Sequence, residues 1–254
     1  MSNFFFDTII IINLKRRPDK LKKVLQRIYD LKLEESVNIQ VLSAVDGKEL
    51  SDEWLKNNIR ISPLYRDSMR GRGMTYGEIG CALSHMRAWE MVKETPSIKN
   101  ALIIEDDAVF KPNFLEVTKR IQPGIENINY DFMYMGRKKM VEEKEPVVYS
   151  DVVQPYFSYW CLAYVLNKSG AKKLLTSNFL QNMIPVDEFV PILLGTPNPG
   201  LRHMLHHYNN NKNMDDEKFF ICKNCGTEFP SREIRLYCKV CKSNLDKTGN
   251  LPKI

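Results

Sequence analysis

A run of four consecutive isoleucines near the start of the chain constrains the fold more than any other feature. The segment Phe6–Leu14 that contains this run is mostly β-branched and predicts a strand buried within a sheet. Pro18 then opens a helical pattern with apolar residues on one face, and Ile39–Val45 predicts a second strand. The chain therefore begins with a strand, a helix and another strand.

Strand and helix patterns continue to alternate up to about residue 194. The predicted strands are Ala101–Ile104, Asp131–Met135 and Cys161–Leu166; the predicted helices are one that follows a Thr75–Glu78 capping box and begins at Gly77, a second over Pro112–Ile121, and a third over Ser169–Leu175. Residues 51–73 are predicted to form an irregular basic loop, and residues 141–152 a charged loop or hairpin. This alternation indicates an α/β layer architecture with a largely parallel sheet.

Length and charge limit the size of the domain and the kinds of ligand that the protein can bind. The 254 residues suffice for one large domain with a small appendage. The net charge of +6 suits an anionic ligand, but the basic residues are interleaved with acidic ones, so we expect no nucleic-acid partner. Asp7 interrupts the first apolar run, and no stretch approaches the roughly 20 residues that span a bilayer. We expect a cytoplasmic protein without a leader or membrane span.

Four of the six cysteines form two C-x-x-C pairs near the C-terminus, Cys222/Cys225 and Cys238/Cys241. Two such pairs converging on one ion give a closed tetrahedral zinc site of the structural type, which suits a reducing compartment. The alternative is that the pairs are accidental. We predict a large domain over 1–200, a polar linker over 201–218 and a zinc-ribbon-like module over 219–245.

Three carboxylates, Glu105, Asp106 and Asp107, directly follow the predicted strand Ala101–Ile104. Ligand sites in α/β proteins lie at the carboxyl ends of strands, and like charges this close repel unless a positive group lies among them. Glu105 and Asp107 are two residues apart and could face one cation. Hard oxygen ligands favour Mn²⁺ or Mg²⁺, and such an ion could neutralise a leaving diphosphate; the alternative is a solvated turn.

Two further features are candidates for catalysis. Asp187 and Glu188 lie among apolar residues, where the pKa of a carboxyl is raised and proton acceptance is favoured; the alternative is that Asp187 caps a helix. We prefer Asp187 as the base because its shorter side chain is positioned more tightly. The helix that begins at Gly77 could bind phosphate at its N-terminus, although an ordinary core helix with a structural His85 fits the same pattern.

With these motifs in view, the sequence resembles glycosyltransferase family 25, and within it the collagen hydroxylysine galactosyltransferases. Seven segments occur in the family's order between residues 9 and 194. They are IIIINLKRRPDK (9–20), SAVDGK (43–48), MTYGEIGCALSH (74–85), LIIEDD (102–107), YMGRKKM (134–140), YFSYWCLAYVLNKSGAKKLL (156–175) and IPVDEF (184–189).

The resemblance implies a GT-A-like fold, a UDP-sugar donor, a Mn²⁺ ion at Glu105 and Asp107, and inverting transfer. The acceptor it favours is a hydroxylysine hydroxyl of a collagen-like chain, with UDP-galactose as the expected donor. It places donor binding at Asn13, Arg16, Arg17, Asp46, Glu78, His85 and Arg137, and Trp160 is expected to be a flat wall for sugar or acceptor, or else a core residue.

Two features depart from the family pattern. The zinc knuckles are not part of it, and the histidine- and aspartate-containing tract expected after residue 189 has only residues 201–217 as a counterpart, with His207 as a candidate ligand. Two other functions therefore stay open. One is a non-catalytic protein that binds a nucleotide-sugar or a partner, and the other is a transferase acting on a lipid-linked glycan.

Overall fold

The computed structural model of the chain describes residues 4–67, 69–125, 127–128, 130–196, 201 and 204, and the backbone of 219–222 and 227–230. The chain divides into two units, Met1–Asn209 and Asn210–Ile254. The boundary falls inside the polar segment that was predicted to be a linker. The first unit contains all the candidate catalytic residues.

A five-stranded sheet forms the centre of the first unit. Its strands are β1 (Thr8–Asn13), β2 (Asn38–Ser43), β3 (Asn100–Glu105), β4 (Phe132–Lys139) and β7 (Ser158–Asn167), arranged in the order β2-β1-β3-β7-β4. A separate two-stranded hairpin consists of β5 (Val147–Tyr149) and β6 (Val152–Val153). Every residue of β1 is buried, because β1 lies inside the sheet and helices cover both of its faces.

The sheet is mixed, and the expectation of a largely parallel sheet is wrong in this respect. Strand β1 runs parallel to β2 and β3, but β7 runs antiparallel to both β3 and β4. A parallel return would need a crossover connection, usually a helix, whereas the connection between β4 and β7 contains the β5–β6 hairpin. Of the two alternatives for residues 141–152, a charged loop or a hairpin, the structure has a hairpin, whose second strand ends at Val153.

Six α-helices occur in the described part of the first unit. They are α1 (Pro18–Asp30), α2 (Asp52–Asn58), α3 (Tyr76–Glu94), α4 (Phe114–Ile125), α5 (Lys168–Thr176) and α6 (Val186–Leu193). One core cluster joins α1 and α4 to one face of the sheet, and the other joins α3, α5 and α6 to the opposite face. Within the described residues, no helix has both the length and the apolar character to cross a membrane.

Local sequence signals account for where most helices begin. The predicted capping box is confirmed, because the Thr75 hydroxyl accepts the Glu78 N–H and the Glu78 side chain accepts the Thr75 N–H. Helix α2 is absent from the prediction, which treated residues 51–73 as irregular. Ser51 caps this helix, because its hydroxyl oxygen accepts a hydrogen bond from the Trp54 N–H. The helix is short and the residues around it are polar, so its apolar periodicity is too weak to predict it.

The second unit contains one described hairpin, β8 (Phe219–Cys222) paired antiparallel with β9 (Thr227–Pro230). Cys222 is the last residue of β8, and its backbone pairs with that of Thr227. Cys225, Cys238 and Cys241 lie outside the described residues, as does His207. The zinc-ribbon-like module therefore stays a prediction.

Helix α3 approaches the loop after β2 more closely than a side chain would allow. A Cβ on Gly80 would lie 2.7 Å from the Val45 carbonyl oxygen and 2.8 Å from the Gly47 nitrogen. Gly47 faces the same contact from the other side, since its own Cβ would lie 2.1 Å from the Tyr76 carbonyl oxygen. The two glycines thus set how closely the start of α3 packs on the end of β2.

We expect Gly80→Ala to lower the free energy of unfolding by about 1–3 kcal/mol, because backbone atoms cannot relax as a side chain can. The measurement is urea unfolding with the slope of the transition compared. Gly77→Ala on the same helix is the control, since its Cβ would meet nothing closer than the Thr75 hydroxyl at 3.9 Å. That change should alter stability by less than about 1 kcal/mol. Equal stability of the two variants would contradict the close-packing argument.

Candidate active site

The three carboxylates after β3 have three different surroundings. Asp106 is buried; its Oδ2 accepts a hydrogen bond from the Asn13 side chain at 2.8 Å, and its Oδ1 lies 3.5 Å from the Arg17 guanidinium. Burial raises the pKa of Asp106, and the nearby Arg17 and Asn13 partly oppose that shift. The middle acid therefore ties the ends of β1 and β3 together.

Asp107 belongs to a basic surface at the start of α1. Its carboxylate is half-exposed and lies 2.9 Å from Lys20 Nζ and 3.9 Å from Arg17. Arg16, in the same loop, forms an ion pair with Asp46 after β2. The α1 N-terminus and these three cations therefore meet at the carboxyl ends of β1 and β3, where an anionic group such as a diphosphate can bind.

Glu105 faces the other side of the sheet, towards α3. Its Oε1 lies 3.3 Å from His85 Nε2 and 4.0 Å from Cys81 Sγ. Cys81 and His85 are four residues apart on one face of α3, which is why both reach the same carboxylate. Burial, with the negative charges of Glu105 and Asp187, raises the pKa of the Cys81 thiol.

A buried hydrogen-bond network fixes the orientation of His85. The Trp89 indole N–H donates to the Tyr164 hydroxyl oxygen at 2.9 Å, and His85 Nδ1 lies 2.9 Å from that same oxygen. Because the Tyr164 O–H has one proton to donate, donating it to Nδ1 satisfies all three groups. His85 Nε2 then carries the proton that faces Glu105. Tyr164 on β7 therefore orients His85, and His85 in turn orients Glu105.

A pocket of about 200 Å³ opens beside this network. The residues that line it come from the loop before α3, the first turns of α3, strand β7 and the start of α6: Tyr65, Asp67, Met69, Glu78, Cys81, Tyr159, Pro185, Val186, Asp187 and Glu188. Cys81 lines the pocket and also contacts Glu105, so it connects the pocket to the acidic end of β3.

Both candidate bases lie in this pocket. Asp187 Oδ1 accepts the backbone N–H of Cys161 at 2.8 Å, and Glu188 Oε1 accepts the Tyr159 hydroxyl at 2.8 Å. Burial raises the pKa of Asp187, and the hydrogen bond from Cys161 partly opposes that shift. The alternative that Asp187 caps a helix is wrong, because Pro185 is the N-cap of α6 and Asp187 lies in its first turn.

Glu78 and Arg137, both predicted to bind donor, are held by other residues. The Arg72 guanidinium contacts both Glu78 oxygens, at 2.7 and 3.0 Å. Although burial raises the pKa of Glu78, Arg72 and Thr75 outweigh it and the pKa is lowered. Arg137 forms an ion pair with buried Glu145 and donates to the Ser158 hydroxyl at 2.6 Å. It anchors the segment that leads into the β5–β6 hairpin.

Trp160 is an exposed aromatic surface and not a core residue. Its side chain is 51% exposed, and Lys138 Nζ lies 5.6 Å from the ring. Its backbone has φ of 71°, a left-handed conformation that costs a non-glycine residue energy. An exposed ring held at a strained position suits the predicted wall against which a sugar or acceptor packs.

Several residues of the pocket were missed in the sequence. Tyr65 and Asp67 lie in the segment predicted to be an irregular loop. Tyr159 precedes the predicted strand Cys161–Leu166, but in the structure it belongs to β7. Cys81 had a detectable signal, because a Cys and a His four residues apart on a predicted helix share one face. Tyr164 has no such signal in the sequence, because its hydrogen-bond partners, His85 and Trp89, lie on α3 and are far from it along the chain.

The acidic residues fit a hard divalent cation. Glu105 and Asp107 offer carboxylate oxygens at the open carboxyl end of β3, and neither is fully buried. The ion pair of Asp107 with Lys20 lies near the surface and is inexpensive to break. Glu105 faces α3 and Asp107 faces α1, so an ion shared by the two carboxylates would require Asp107 to leave Lys20.

Comparisons with known proteins identify relatives over most of the first unit. A family model described as Glycosyltransferase family 25 (LPS biosynthesis protein) matches residues 6–190. A Drosophila melanogaster protein named Glycosyltransferase 25 family member is 43% identical over 196 residues, covering 76% of this chain and 31% of that protein. Human Procollagen galactosyltransferase 2 is 39% identical over 194 residues, covering 74% of this chain and 30% of that protein.

A third relative has a different description. The human protein named Inactive glycosyltransferase 25 family member 3 is 38% identical over 197 residues, covering 76% of this chain and 32% of its own length. The chain thus spans about a third of the length of these curated relatives.

We expect Tyr164→Phe to lower the free energy of unfolding by about 2 kcal/mol or more, because it removes the partner of two buried nitrogen atoms, on His85 and Trp89. Chemical denaturation is the measurement. Tyr134→Phe is the matched control on the neighbouring strand β4, since no hydrogen bond of its hydroxyl occurs within the described residues. Similar losses in the two variants would show that the Tyr164 hydroxyl network does not stabilise the fold.

Proposed function

The chain belongs to glycosyltransferase family 25, and we propose that it transfers a hexose from a UDP-sugar to a hydroxyl group. The observation that carries this proposal is the contact between Cys81 and Glu105, at 4.0 Å, which joins two chemically different regions. On one side lies a basic surface suited to a diphosphate. On the other lies a pocket with a buried carboxylate of raised pKa.

The donor side of the proposal rests on the residues around the ends of β1 and β3. Arg16, Arg17 and Lys20 supply positive charge next to the N-terminus of α1, which itself favours phosphate. Asn13 and Asp106 are bonded to each other and hold this loop on the sheet. In our proposal the sugar of a UDP-sugar bound here occupies the pocket, which Cys81 connects to Glu105 at the end of β3.

Glu105 and Asp107 would hold a Mn²⁺ or Mg²⁺ ion, which supplies positive charge to the leaving diphosphate. The chain's own contribution is positional. His85 orients Glu105 through Nε2, and Lys20 holds Asp107 until the ligand arrives. We propose further that the tail binds a structural zinc ion through Cys222, Cys225, Cys238 and Cys241.

On the acceptor side, Asp187 is our proposed base. An inverting displacement needs one group that removes the proton of the acceptor hydroxyl as the new bond forms. Asp187 lines the pocket, and its ionised form is disfavoured by burial, which makes it a stronger proton acceptor. Trp160 offers a flat surface for the acceptor chain or sugar.

The favoured donor and acceptor are UDP-galactose and a hydroxylysine of a collagen-like chain. The support is the similarity to human Procollagen galactosyltransferase 2, whose name gives a galactosyl group and procollagen. A lipid-linked glycan is the alternative acceptor. The second candidate function is non-catalytic binding of a nucleotide-sugar or partner, which the similarity to relatives named inactive favours.

A panel of UDP-sugars with a hydroxylysine-containing collagen peptide tests the proposal. We expect Mn²⁺-dependent addition of one hexose, detected as a mass increase of the peptide. Asp107→Asn should retain the fold but lose the Mn²⁺-dependent part of UDP binding in calorimetry. Mn²⁺-dependent UDP binding without sugar transfer to any acceptor would favour the non-catalytic alternative. Equal UDP affinity of wild type and variant with Mn²⁺ would refute the metal assignment.

The role of Asp187 predicts a specific pH profile. Because its pKa is raised in the folded protein, the ionised base appears only as the pH rises above the usual range for an aspartate. Transfer should therefore increase with pH along an acidic limb that Asp187→Asn removes. That variant should keep UDP binding and transfer roughly 10²–10⁴-fold more slowly, the usual cost of losing a general base.

Glu188→Gln is the matched control for the base. Its side chain is only 5% exposed, and glutamine can still accept the Tyr159 hydroxyl proton. We expect its transfer rate to stay within a few-fold of wild type. Near-normal transfer by Asp187→Asn, together with collapse in Glu188→Gln, would assign the base to Glu188 instead.

A further inference from the structure

We propose that Cys81, His85 and Glu105 form a binding site for a thiophilic divalent cation, with zinc as the best fit. This site is separate from the proposed zinc site of the tail, and it differs from the manganese site in using Cys81 and His85 instead of Asp107. One ligand atom from each residue, Sγ, Nε2 and Oε1, lies within 4.8 Å of the other two.

The distances suit a tetrahedral ion. With metal–ligand bonds of the usual length, a nitrogen and an oxygen on one tetrahedral zinc lie about 3.3 Å apart, and a sulfur and an oxygen about 3.5 Å apart. The corresponding distances in the structure are 3.3 Å for His85 Nε2 to Glu105 Oε1, and 4.0 Å for Cys81 Sγ to Glu105 Oε1. The Cys81 sulfur lies within 4.8 Å of the other two ligand atoms. A rotation about the Cys81 Cα–Cβ bond that brings the sulfur closer to both would complete the tetrahedral set.

The surroundings supply what a metal-binding histidine needs. A ligating imidazole usually has its other ring nitrogen hydrogen-bonded, which fixes both the tautomer and the orientation of the ring. His85 Nδ1 lies 2.9 Å from the Tyr164 hydroxyl oxygen. Zinc at Nε2 would displace the proton that Nε2 directs at Glu105 in the metal-free protein, and the ring would then take the other tautomer, in which Nδ1 donates to the Tyr164 hydroxyl oxygen. His85 is only 1% exposed and stacks on the Tyr164 ring, which holds it in place.

The site has an entrance and an open position. Cys81 lines the pocket of about 200 Å³, so an ion can reach the ligands from that side. Three protein ligands leave the fourth tetrahedral position for water or a substrate atom, which is the arrangement of catalytic zinc sites. A thiolate, an imidazole and a carboxylate together favour zinc, cobalt or cadmium over magnesium and calcium.

Zinc-dependent protection of Cys81 from alkylation tests this site directly in the full chain. The protein is treated with iodoacetamide with and without added Zn²⁺, and the peptide that carries Cys81 is quantified by mass spectrometry. This readout ignores the cysteines of the tail. We expect Zn²⁺ to slow alkylation of Cys81 at least about 10-fold, and Glu105→Gln and His85→Gln each to weaken zinc affinity by about 10-fold or more.

Three further variants make the result specific. Cys81→Ser should lower the zinc content of the full chain by about one equivalent, whereas Cys161→Ser, which replaces the buried cysteine of β7, should not. Asp107→Asn should keep the zinc protection of Cys81, because Asp107 pairs with Lys20 and not with α3. Loss of manganese-dependent UDP binding in that variant would thus leave this inference intact.

The outcomes that would overturn the inference are equally plain. If Cys81 is alkylated at the same rate with and without Zn²⁺, the three residues form only a hydrogen-bonded cluster. Unchanged protection in both Glu105→Gln and His85→Gln would show that zinc is held by Cys81 with other ligands. Circular dichroism of each variant confirms that a loss of protection does not come from unfolding.

Discussion

The hydroxyl group of Tyr164 is the interaction on which the arrangement of the site depends. It lies on β7, the antiparallel strand, and bonds to Trp89 and His85 on α3, so it fixes the helix to the sheet at a fully buried point. Through His85 it also orients Glu105 at the end of β3. A buried polar network of this kind is costly when incomplete, and it therefore specifies one packing of α3 over others. The position of the pocket beside Cys81 follows from that packing.

Much of this could be predicted from the sequence, and the reasons for the exceptions are physical. The isoleucine run, the Pro18 start of α1 and the Thr75 capping box are local signals, and the structure has a buried strand and two helices where they predict them. The direction of β7 was not predictable in this way, because apolar periodicity carries no information about strand polarity. The ion pair of Arg137 with Glu145, eight residues further on, was not predictable from its family segment either, and the donor-binding role of Arg137 stays a prediction.

The same distinction applies to the acidic triplet. Its place at the end of a strand is a local property, and the sequence sufficed to single it out. Its division among three surroundings is not local: Asp106 turns to β1, Asp107 to α1 and Glu105 to α3. Strand β3 ends at Glu105, and the turn that follows directs Asp106 and Asp107 to other elements. The repulsion expected among three adjacent carboxylates is thereby relieved partly by the separation of Glu105 and partly by Arg17 and Lys20, which pair with the other two.

The β5–β6 hairpin has a consequence for how proteins of this kind diversify. It is inserted between two strands at one edge of the sheet, it is anchored at its base by Arg137 and Glu145, and its outer residues Val147, Val148 and Tyr149 are exposed. Among the described residues, the ion pair of the hairpin turn is with Arg120 on α4, and no hydrogen bond or ion pair joins residues 147–153 to the basic loop after β1. If the basic loop binds the donor as we propose, natural selection can lengthen, shorten or recode this hairpin while the loop is inherited unchanged, so that a single donor chemistry can be passed on to lineages with very different acceptors.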